Sequence, residues 1–273
     1  MKYIDCEKYA QEILDEVKAI PNKGKLVIIT VGDDPASQVY VRGKIKDCEY
    51  CEIPVEHVKI ADTADSHTKL INTICRKNND MEVAGIILQL PLPESLKRHE
   101  SYYCDLIAPI KDVDGLNPNS RYQPCTPKGI MHILKKELGR DELSELTALI
   151  IGRSNLVGKP LAKMLTDADC TVTLAHSKTH PLNLREYMKT ADIVVSAVGQ
   201  AKEFNLADCW MADVVVDVGI NRDNQGKLCG DFTGFRKFGG CGTKVTPVPK
   251  GVGLMTRAML MQNVAEASAM FER

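Results

Sequence analysis

The sequence predicts an α/β protein of two domains, each built on a parallel sheet, and three observations lead there. Helical and strand patterns alternate along the whole chain, which is how β/α units with parallel strands read. The clearest strand pattern, Lys25–Val31 (KLVIITV), is apolar without a break, as a strand covered on both faces has to be. A chain of 273 residues is long enough for two domains of ordinary size.

Taken in order, Tyr9, Ile13, Val17 and Ile20 recur at helical spacing and predict a helix over residues 5–20. After the KLVIITV strand, Asp34 followed by Pro35 marks a helix start: a carboxylate N-cap, then a proline whose missing N–H is harmless in the first turn. The strand Val55–Ile60, a helix over 65–77 and the strand Val83–Leu88 complete a βαβαβ unit. Asn117-Pro118-Asn119-Ser120 reads as a break and linker. Thr126-Pro127 then opens a helix that carries Ile130, Ile133 and Leu134 and stops at Gly139. A second β/α series follows, with strands Leu146–Ile151, Thr171–Leu174, Asp192–Ala197 and Val214–Val218. Ala258–Phe271 reads as an amphipathic helix that returns to pack on the first domain. The expected division is therefore 1–118 with 255–273 as an N-terminal α/β domain, and 119–254 as a second, Rossmann-like domain.

Composition excludes several classes. Charged residues are 26% and the formal net charge is −1, so nothing draws the chain to nucleic acid or to an anionic membrane. Five Phe and one Trp offer little base-stacking surface. No apolar run reaches membrane-spanning length, and with no signal-peptide pattern at the start a soluble cytoplasmic protein is expected. The ten cysteines are scattered through helices and strands and read as reduced thiols. The single C-x-x-C, Cys48 to Cys51, has no second pair at zinc spacing and ends a helix instead of opening one, so no metal or redox site is expected of it.

Chemistry-bearing residues gather in two groups. In the first domain Ser37, Tyr40 and Lys44 fall at i, i+3 and i+7 of the predicted helix and share a face. A hydroxyl, an aromatic ring and an amine so placed suit holding a flat ring system and moving a proton beside it. Gln89 is the only polar side chain in GIILQLPLP and needs a partner once buried; the Lys44 amine would serve. Lys111-Asp112-Val113-Asp114-Gly115 adds carboxylates but lacks the remaining ligands of a calcium loop.

In the second domain, strand, glycine turn and helix succeed one another around Gly152, Arg153, Ser154 and Gly158, the arrangement that binds a pyrophosphate at a helix N-terminus. It is neither G-x-G-x-x-G nor a P-loop, and taken alone a ligand-free tight turn explains it equally well. The next strand runs into His176-Ser177-Lys178, where an NAD enzyme would carry an acid for the ribose 2′-hydroxyl. With Arg153, these residues suit a 2′-phosphate, hence NADP. Two later strand ends, at Gly199 and at Gly219-Ile220, fall where open α/β sheets bind ligands.

Together these segments resemble the bifunctional methylenetetrahydrofolate dehydrogenase/methenyltetrahydrofolate cyclohydrolase family. VGDDPASQVYVRGK, GIILQLPLP, KDVDG, PCTPKG, GRSNLVGKP, HSKT, VVDVGIN, GDF and VTPVPKGVGLMT stand in the family's order over nearly the whole chain. The resemblance implies that Tyr40 stacks on the folate, Lys44 is catalytic, Gln89 positions it, Ser37 lies in the substrate site and Asp114 holds the pterin. It also implies that Gly152, Arg153, Ser154, Ser177, Gly199 and Ile220 hold NADP, that the segment with Pro249 and Gly253 lies near nicotinamide and folate, and that the enzyme is a homodimer. The chain departs from the family pattern at Lys250 and Leu254, which stand for a glycine and a proline, and in a shorter connection between Gly115 and Pro124. A positive φ at residue 250 would then impose strain. Rival readings are a dehydrogenase without the hydrolytic activity, a shikimate-dehydrogenase-like NADP oxidoreductase and a non-catalytic folate- or nucleotide-binding regulator. The apolar GIILQLPLP lining counts against the second, and the retained Lys44, Gln89 and Asp114 count against the third.

Overall fold

A computed structural model describes residues 1–235 and 242–271; residues 236–241 and 272–273, within the expected domain ranges, lie outside the described residues. The chain opens with β1 (Lys2–Tyr3) and α1 (Cys6–Lys18). Then β2 (Lys25–Val31), α2 (Pro35–Tyr50), β3 (Val55–Ile60), α3 (Ser66–Asn78) and β4 (Val83–Leu88) alternate, followed by short helices α4 (Glu94–Lys97) and α5 (Glu100–Asp105). The second series is α6 (Cys125–Leu138), β5 (Thr147–Ile151), α7 (Gly158–Asp167), β6 (Thr171–Ala175), α8 (Pro181–Thr190), β7 (Ile193–Ser196), β8 (Phe204–Asn205) and β9 (Val214–Asp217). Short strands β10 (Asn221–Arg222), β11 (Leu228–Cys229), β12 (Phe232–Thr233) and β13 (Lys244–Val245) precede the last helix, α9 (Val252–Phe271).

Two compact units result. The three-stranded unit spans Gln11–Cys125 and the chain from Arg257 on, around a parallel sheet in the order β3-β2-β4. Its core packs Val27, Ile29 and Val31 of β2 against Leu70 and Ile74 of α3. The six-stranded unit spans Met1–Ala10 and Thr126–Thr256, around a parallel sheet in the order β1-β13-β9-β7-β5-β6. In both sheets a central strand is flanked by the next strand on one side and the one after on the other. The chain therefore reverses direction beside β2 and beside β5, where an open sheet leaves a crevice at its carboxyl edge.

Residues 1–10 pack with the six-stranded sheet, where β1 pairs in parallel with β13 (Tyr3 opposite Val245), a long-range pairing that a two-residue strand does not announce. Two expectations need correction. Asn117–Ser120 is not a linker and lies within the three-stranded unit. Asn117 is buried, its amide donates to the carbonyls of Asp105 and Ile107, and its backbone N–H donates to the Asp112 carboxylate at 2.8 Å. The last helix starts six residues earlier than expected, at Val252, and is not one-faced: Ala258, Met259, Leu260, Met261, Val264 and Ala265 are all buried.

From Arg257 on, α9 returns to the three-stranded unit as expected. Asn263 is fully buried there and its amide donates to the backbone carbonyls of Val113 (2.9 Å) and Gln123 (3.1 Å). Removing it takes this donor from the part-buried Gln123 carbonyl and leaves the buried Val113 carbonyl with only the weak Cys125 thiol at 3.3 Å, each weakened acceptor costing up to about 1–3 kcal/mol. Asn263→Leu is therefore expected to destabilise this unit by several kcal/mol, read as a fall in the urea midpoint; a loss below about 1 kcal/mol would show that water replaces the amide.

Candidate active site

In the three-stranded unit the site begins with a helix cap. The Asp34 carboxylate accepts from the Ser37 backbone N–H at 2.7 Å, and Pro35 occupies the first turn, as the sequence predicts. That start point orients Ser37, Tyr40 and Lys44 on α2. Lys44 is buried, with 7% of its surface exposed, so its ammonium needs partners within the protein. It donates to Gln89 Oε1 at 3.0 Å, which is the pairing expected from sequence. Gln89 is held in turn: its backbone N–H continues the ladder to Ile29, and its side-chain amide donates to the Leu90 carbonyl at 2.7 Å. With Nε2 thus occupied, Oε1 is the atom left to face the lysine. Tyr40 is half-buried, and burial pushes its phenol above the usual range while the Arg257 charge lowers it. Ser37 is buried as well.

Asp114 lies on a segment packed against β4. Asp112 bridges to Ile86, and Val113 sits where a Cβ on Gly85 would meet its methyls at 2.7 and 2.8 Å, so glycine is required at that close approach. Asp112 itself is buried, with its carboxyl pushed up to about 6 by desolvation; it organises this turn, leaving the half-buried Asp114 as the accessible acid. Sequence reasoning missed Arg257 and Asp47. Arg257 makes a two-point ion pair with Asp47, Nε at 2.7 Å and Nη2 at 3.1 Å, one turn beyond Lys44. Its guanidinium crosses Gly43, where any side chain would collide with it. The separation of 210 residues hid this pair, and no local pattern signals it. Cys48 and Cys51 are buried thiols, pushed up to about 12 and about 11 by desolvation, and bond to Met261 and the Leu14 carbonyl.

In the six-stranded unit the expected cofactor residues gather by strand register. Ile151 pairs with Ala175 on one side and Ser196 on the other, and Ser196 pairs with Asp217. The turns that follow, carrying Gly152–Ser154, Ser177, Gly199 and Ile220, therefore share the sheet's carboxyl edge. Gly152 has φ +120°, and a Cβ there would lie 2.6 Å from the Ala197 carbonyl oxygen. Ser154 Oγ accepts from the Val157 N–H at 3.2 Å just ahead of α7. Arg153, Ser177 and Lys178 are exposed at the ends of neighbouring strands, with no carboxylate between them in sequence after β6. These residues fit a dinucleotide with a 2′-phosphate.

Asp231, from the GDF motif, was given no role by sequence reasoning. It is fully buried and accepts from Ser196 Oγ (2.8 Å), Asn221 Nδ2 (2.9 Å) and the backbone N–H groups of Val198, Gly199 and Gln200. Asp217, pushed up to about 6 by burial, accepts from the backbones of Gly219, Asp231 and Phe232. Two carboxylates thus fix the loops that carry Gly199 and Ile220; an acid inside an otherwise apolar Gly-Asp-Phe was the available signal. Pro249 is exposed after a cis Val248–Pro249 bond, and Gly253 is half-buried in the first turn of α9. Lys250 has φ +74°, the strained conformation anticipated for it, and its ammonium pairs with Glu7 at 3.0 Å.

A nucleotide-binding sheet, together with an α/β unit carrying a buried lysine–glutamine pair, defines a dinucleotide-dependent enzyme. Comparison with known proteins specifies which. Residues 4–114 match the tetrahydrofolate dehydrogenase/cyclohydrolase catalytic domain, and residues 124–272 match the NAD(P)-binding domain of the same family. A bifunctional protein FolD of Methanoculleus marisnigri is 41% identical over 274 residues, covering 96% of this chain and 93% of its own. One of Bacillus cytotoxicus is 39% identical over 275 residues, with coverages of 96% and 93%. The crystal structure of the bifunctional FolD methylenetetrahydrofolate dehydrogenase/cyclohydrolase of Campylobacter jejuni superposes with a TM-score of 0.85 at 35% identity, covering 97% and 98%. The Trypanosoma brucei FolD structure, complexed with NADP and an inhibitor, gives a TM-score of 0.88 at 28% identity, covering 99% and 98%. The chain belongs to the tetrahydrofolate dehydrogenase/cyclohydrolase family.

An L-residue in the left-handed region costs about 1–2 kcal/mol, partly offset by the smaller unfolded-state entropy of a non-glycine residue. Lys250→Gly is therefore expected to stabilise the chain by up to about 1 kcal/mol, seen as a higher denaturant midpoint. A lower midpoint would mean that the exposed pair with Glu7 outweighs the strain.

Proposed function

We propose that the chain oxidises 5,10-methylenetetrahydrofolate to the 5,10-methenyl form with NADP, and hydrolyses that product to 10-formyltetrahydrofolate. The observation that carries this reading is the buried Lys44–Gln89 pair on the helix that also presents Tyr40 and Ser37. Tyr40 offers its ring as a stacking platform for the folate, and Asp114 accepts from the pterin N–H groups. When bound, NADP supplies the hydride acceptor, and the protein's task is to align the two rings. Hydride leaves without a strong base because the flanking nitrogens share the cation that develops. In the hydrolytic step water adds to the methenyl carbon and Lys44 takes up one of its protons; as the C–N5 bond breaks, the lysine returns a proton to N5 and the remaining hydroxyl proton leaves to solvent, forming the formyl C=O. Gln89 holds the amine in place through both steps.

On the nucleotide side, Gly152 and Ser154 shape the pyrophosphate turn, Arg153 and Ser177 with Lys178 take the 2′-phosphate, and Gly199 and Ile220 line the remainder. Pro249 and Gly253 belong to the nicotinamide end. The two boundaries expected from sequence, near 118/119 and 254/255, mark a division of labour between folate and nucleotide. As a small-molecule enzyme of one-carbon metabolism feeding purine biosynthesis, it would work in the cytoplasm as a homodimer. Among the described residues no helix is long and apolar enough to cross a membrane.

Mixing the protein with methylenetetrahydrofolate and NADP tests the reading directly, through the absorbance of the methenyl product. Lys44→Met is expected to abolish cyclohydrolase activity while dehydrogenase activity falls less; equal losses in a folded variant would reassign Lys44 to binding. NADP should be preferred to NAD. Because charge-assisted contacts are each worth roughly 1.5–3 kcal/mol, Arg153→Ala should weaken NADP binding about ten-fold or more and leave NAD nearly unchanged. Equal turnover with both cofactors in the unmodified protein would refute the 2′-phosphate assignment.

A further inference from the structure

The residue directly before Lys44 is a glycine, and local structure gives no reason for it. Gly43 lies in the interior of α2, where glycine is the weakest helix former after proline and leaves the backbone loose. Among the described residues the Lys44 amine makes one hydrogen bond, to Gln89. Its position therefore depends on where the helix puts the Lys44 backbone. A loose residue at that point has to be offset by a constraint from elsewhere in the unit.

Arg257 supplies that constraint. A Cβ on Gly43 would lie 2.3 Å from Arg257 Nη1 and 3.0 Å from its Cζ, so the glycine is a slot in which the guanidinium crosses the helix. Tyr40, Gly43, Lys44 and Asp47 fall at i, i+3, i+4 and i+7, and the guanidinium thus packs on the face that carries both the aromatic ring and the amine. One edge of it is held by Asp47, through Nε and Nη2. On the other edge Nη1 makes no hydrogen bond among the described residues, so its contact with Gly43 is steric. The Asp47 carboxyl is pushed up by burial and lowered by the Arg257 charge, which also reaches the Tyr40 phenol.

We propose that Arg257, seated in the Gly43 slot, is a positioning residue for the Lys44 amine in the hydrolytic step. The fork on Asp47 and the contact at Gly43 bracket Lys44 on the helix and fix the turn that carries it. A planar guanidinium does this where a lysine cannot, because it holds a carboxylate at two points. The proposal rests on the folate reading above, in which Lys44 moves protons for hydrolysis and matters less for hydride transfer.

The ratio of cyclohydrolase to dehydrogenase activity in one sample tests it, because that ratio does not depend on how much of the protein is folded. Arg257→Met should lower cyclohydrolase kcat about ten-fold or more, since misplacing a reacting group by about 1 Å can cost about a hundred-fold. Dehydrogenase kcat should fall less, and both KM values should stay within about two-fold. Arg257→Lys keeps the charge without the fork and should not restore the lost activity. Gly43→Ala removes no charge and no donor, yet its methyl displaces the guanidinium and should reproduce the selective loss. In the Arg257→Met background Gly43→Ala should cost no further activity and should raise the denaturant midpoint, as alanine does in a helix when nothing collides with it. An unchanged ratio in Arg257→Met or Gly43→Ala, full activity in Arg257→Lys, or an undiminished Gly43→Ala loss in the Arg257→Met background overturns the role and leaves the folate reading standing. If the unmodified protein turns over neither substrate, it is the folate reading that fails. A crystal structure of the Gly43→Ala variant then decides the positioning role: a displaced Lys44–Gln89 contact upholds it, and an unmoved contact overturns it.

Discussion

A buried ammonium group sets the terms for the three-stranded unit. An amine withdrawn from water is costly unless hydrogen-bonded, and Lys44 has its partner in Gln89, at the end of a strand 45 residues further along. That bond constrains the position of α2 against β4 and demands that the helix neither slide nor rotate. The Asp34 cap fixes where the helix begins, and the Arg257–Asp47 pair clamps it one turn past the lysine. Because Arg257 comes from α9, the last stretch of chain is part of the support for the helix that carries the buried amine. Asn263 then holds the same helix to the segment carrying Asp114, through the Val113 carbonyl.

Buried carboxylates play the corresponding part in the six-stranded unit. The turns after β7 and β9 have backbone N–H groups that no strand can satisfy, and Asp231 and Asp217 accept them instead. Both acids are buried, and burial pushes the Asp217 carboxyl up to about 6. The loops that carry Gly199 and Ile220 are thereby fixed by the protein's own hydrogen bonds. Arg153, Ser177 and Lys178 lie on the neighbouring turns after β5 and β6 and are exposed.

The departure at Lys250 shows how the fold absorbs a locally unfavourable residue. Its backbone adopts the left-handed conformation that suits glycine, and its side chain is directed to Glu7. Leu254, standing for a proline, keeps an N–H that donates to the Gly251 carbonyl at 3.1 Å in the first turn of α9.

Local sequence determined most of the secondary structure and the pairing of Lys44 with Gln89. Uninterrupted apolar strands, an Asp-Pro helix start and the i, i+3, i+7 spacing of Ser37, Tyr40 and Lys44 are short-range signals, and a lone amide in an apolar strand calls for a nearby partner. Tertiary structure alone decided what depends on distant pairing. It placed β1 in the sheet of the second unit, turned Asn117–Ser120 from an apparent linker into a packed turn, and buried α9 on most sides. It also recruited Arg257, Asp47 and Asp231 as supports for functional residues. A two-residue strand, a surface-like Asn-Pro turn and an isolated charge carry no periodicity of their own. Their roles are set by which backbone groups remain unsatisfied once the sheets have formed, and that is known only when the chain is folded.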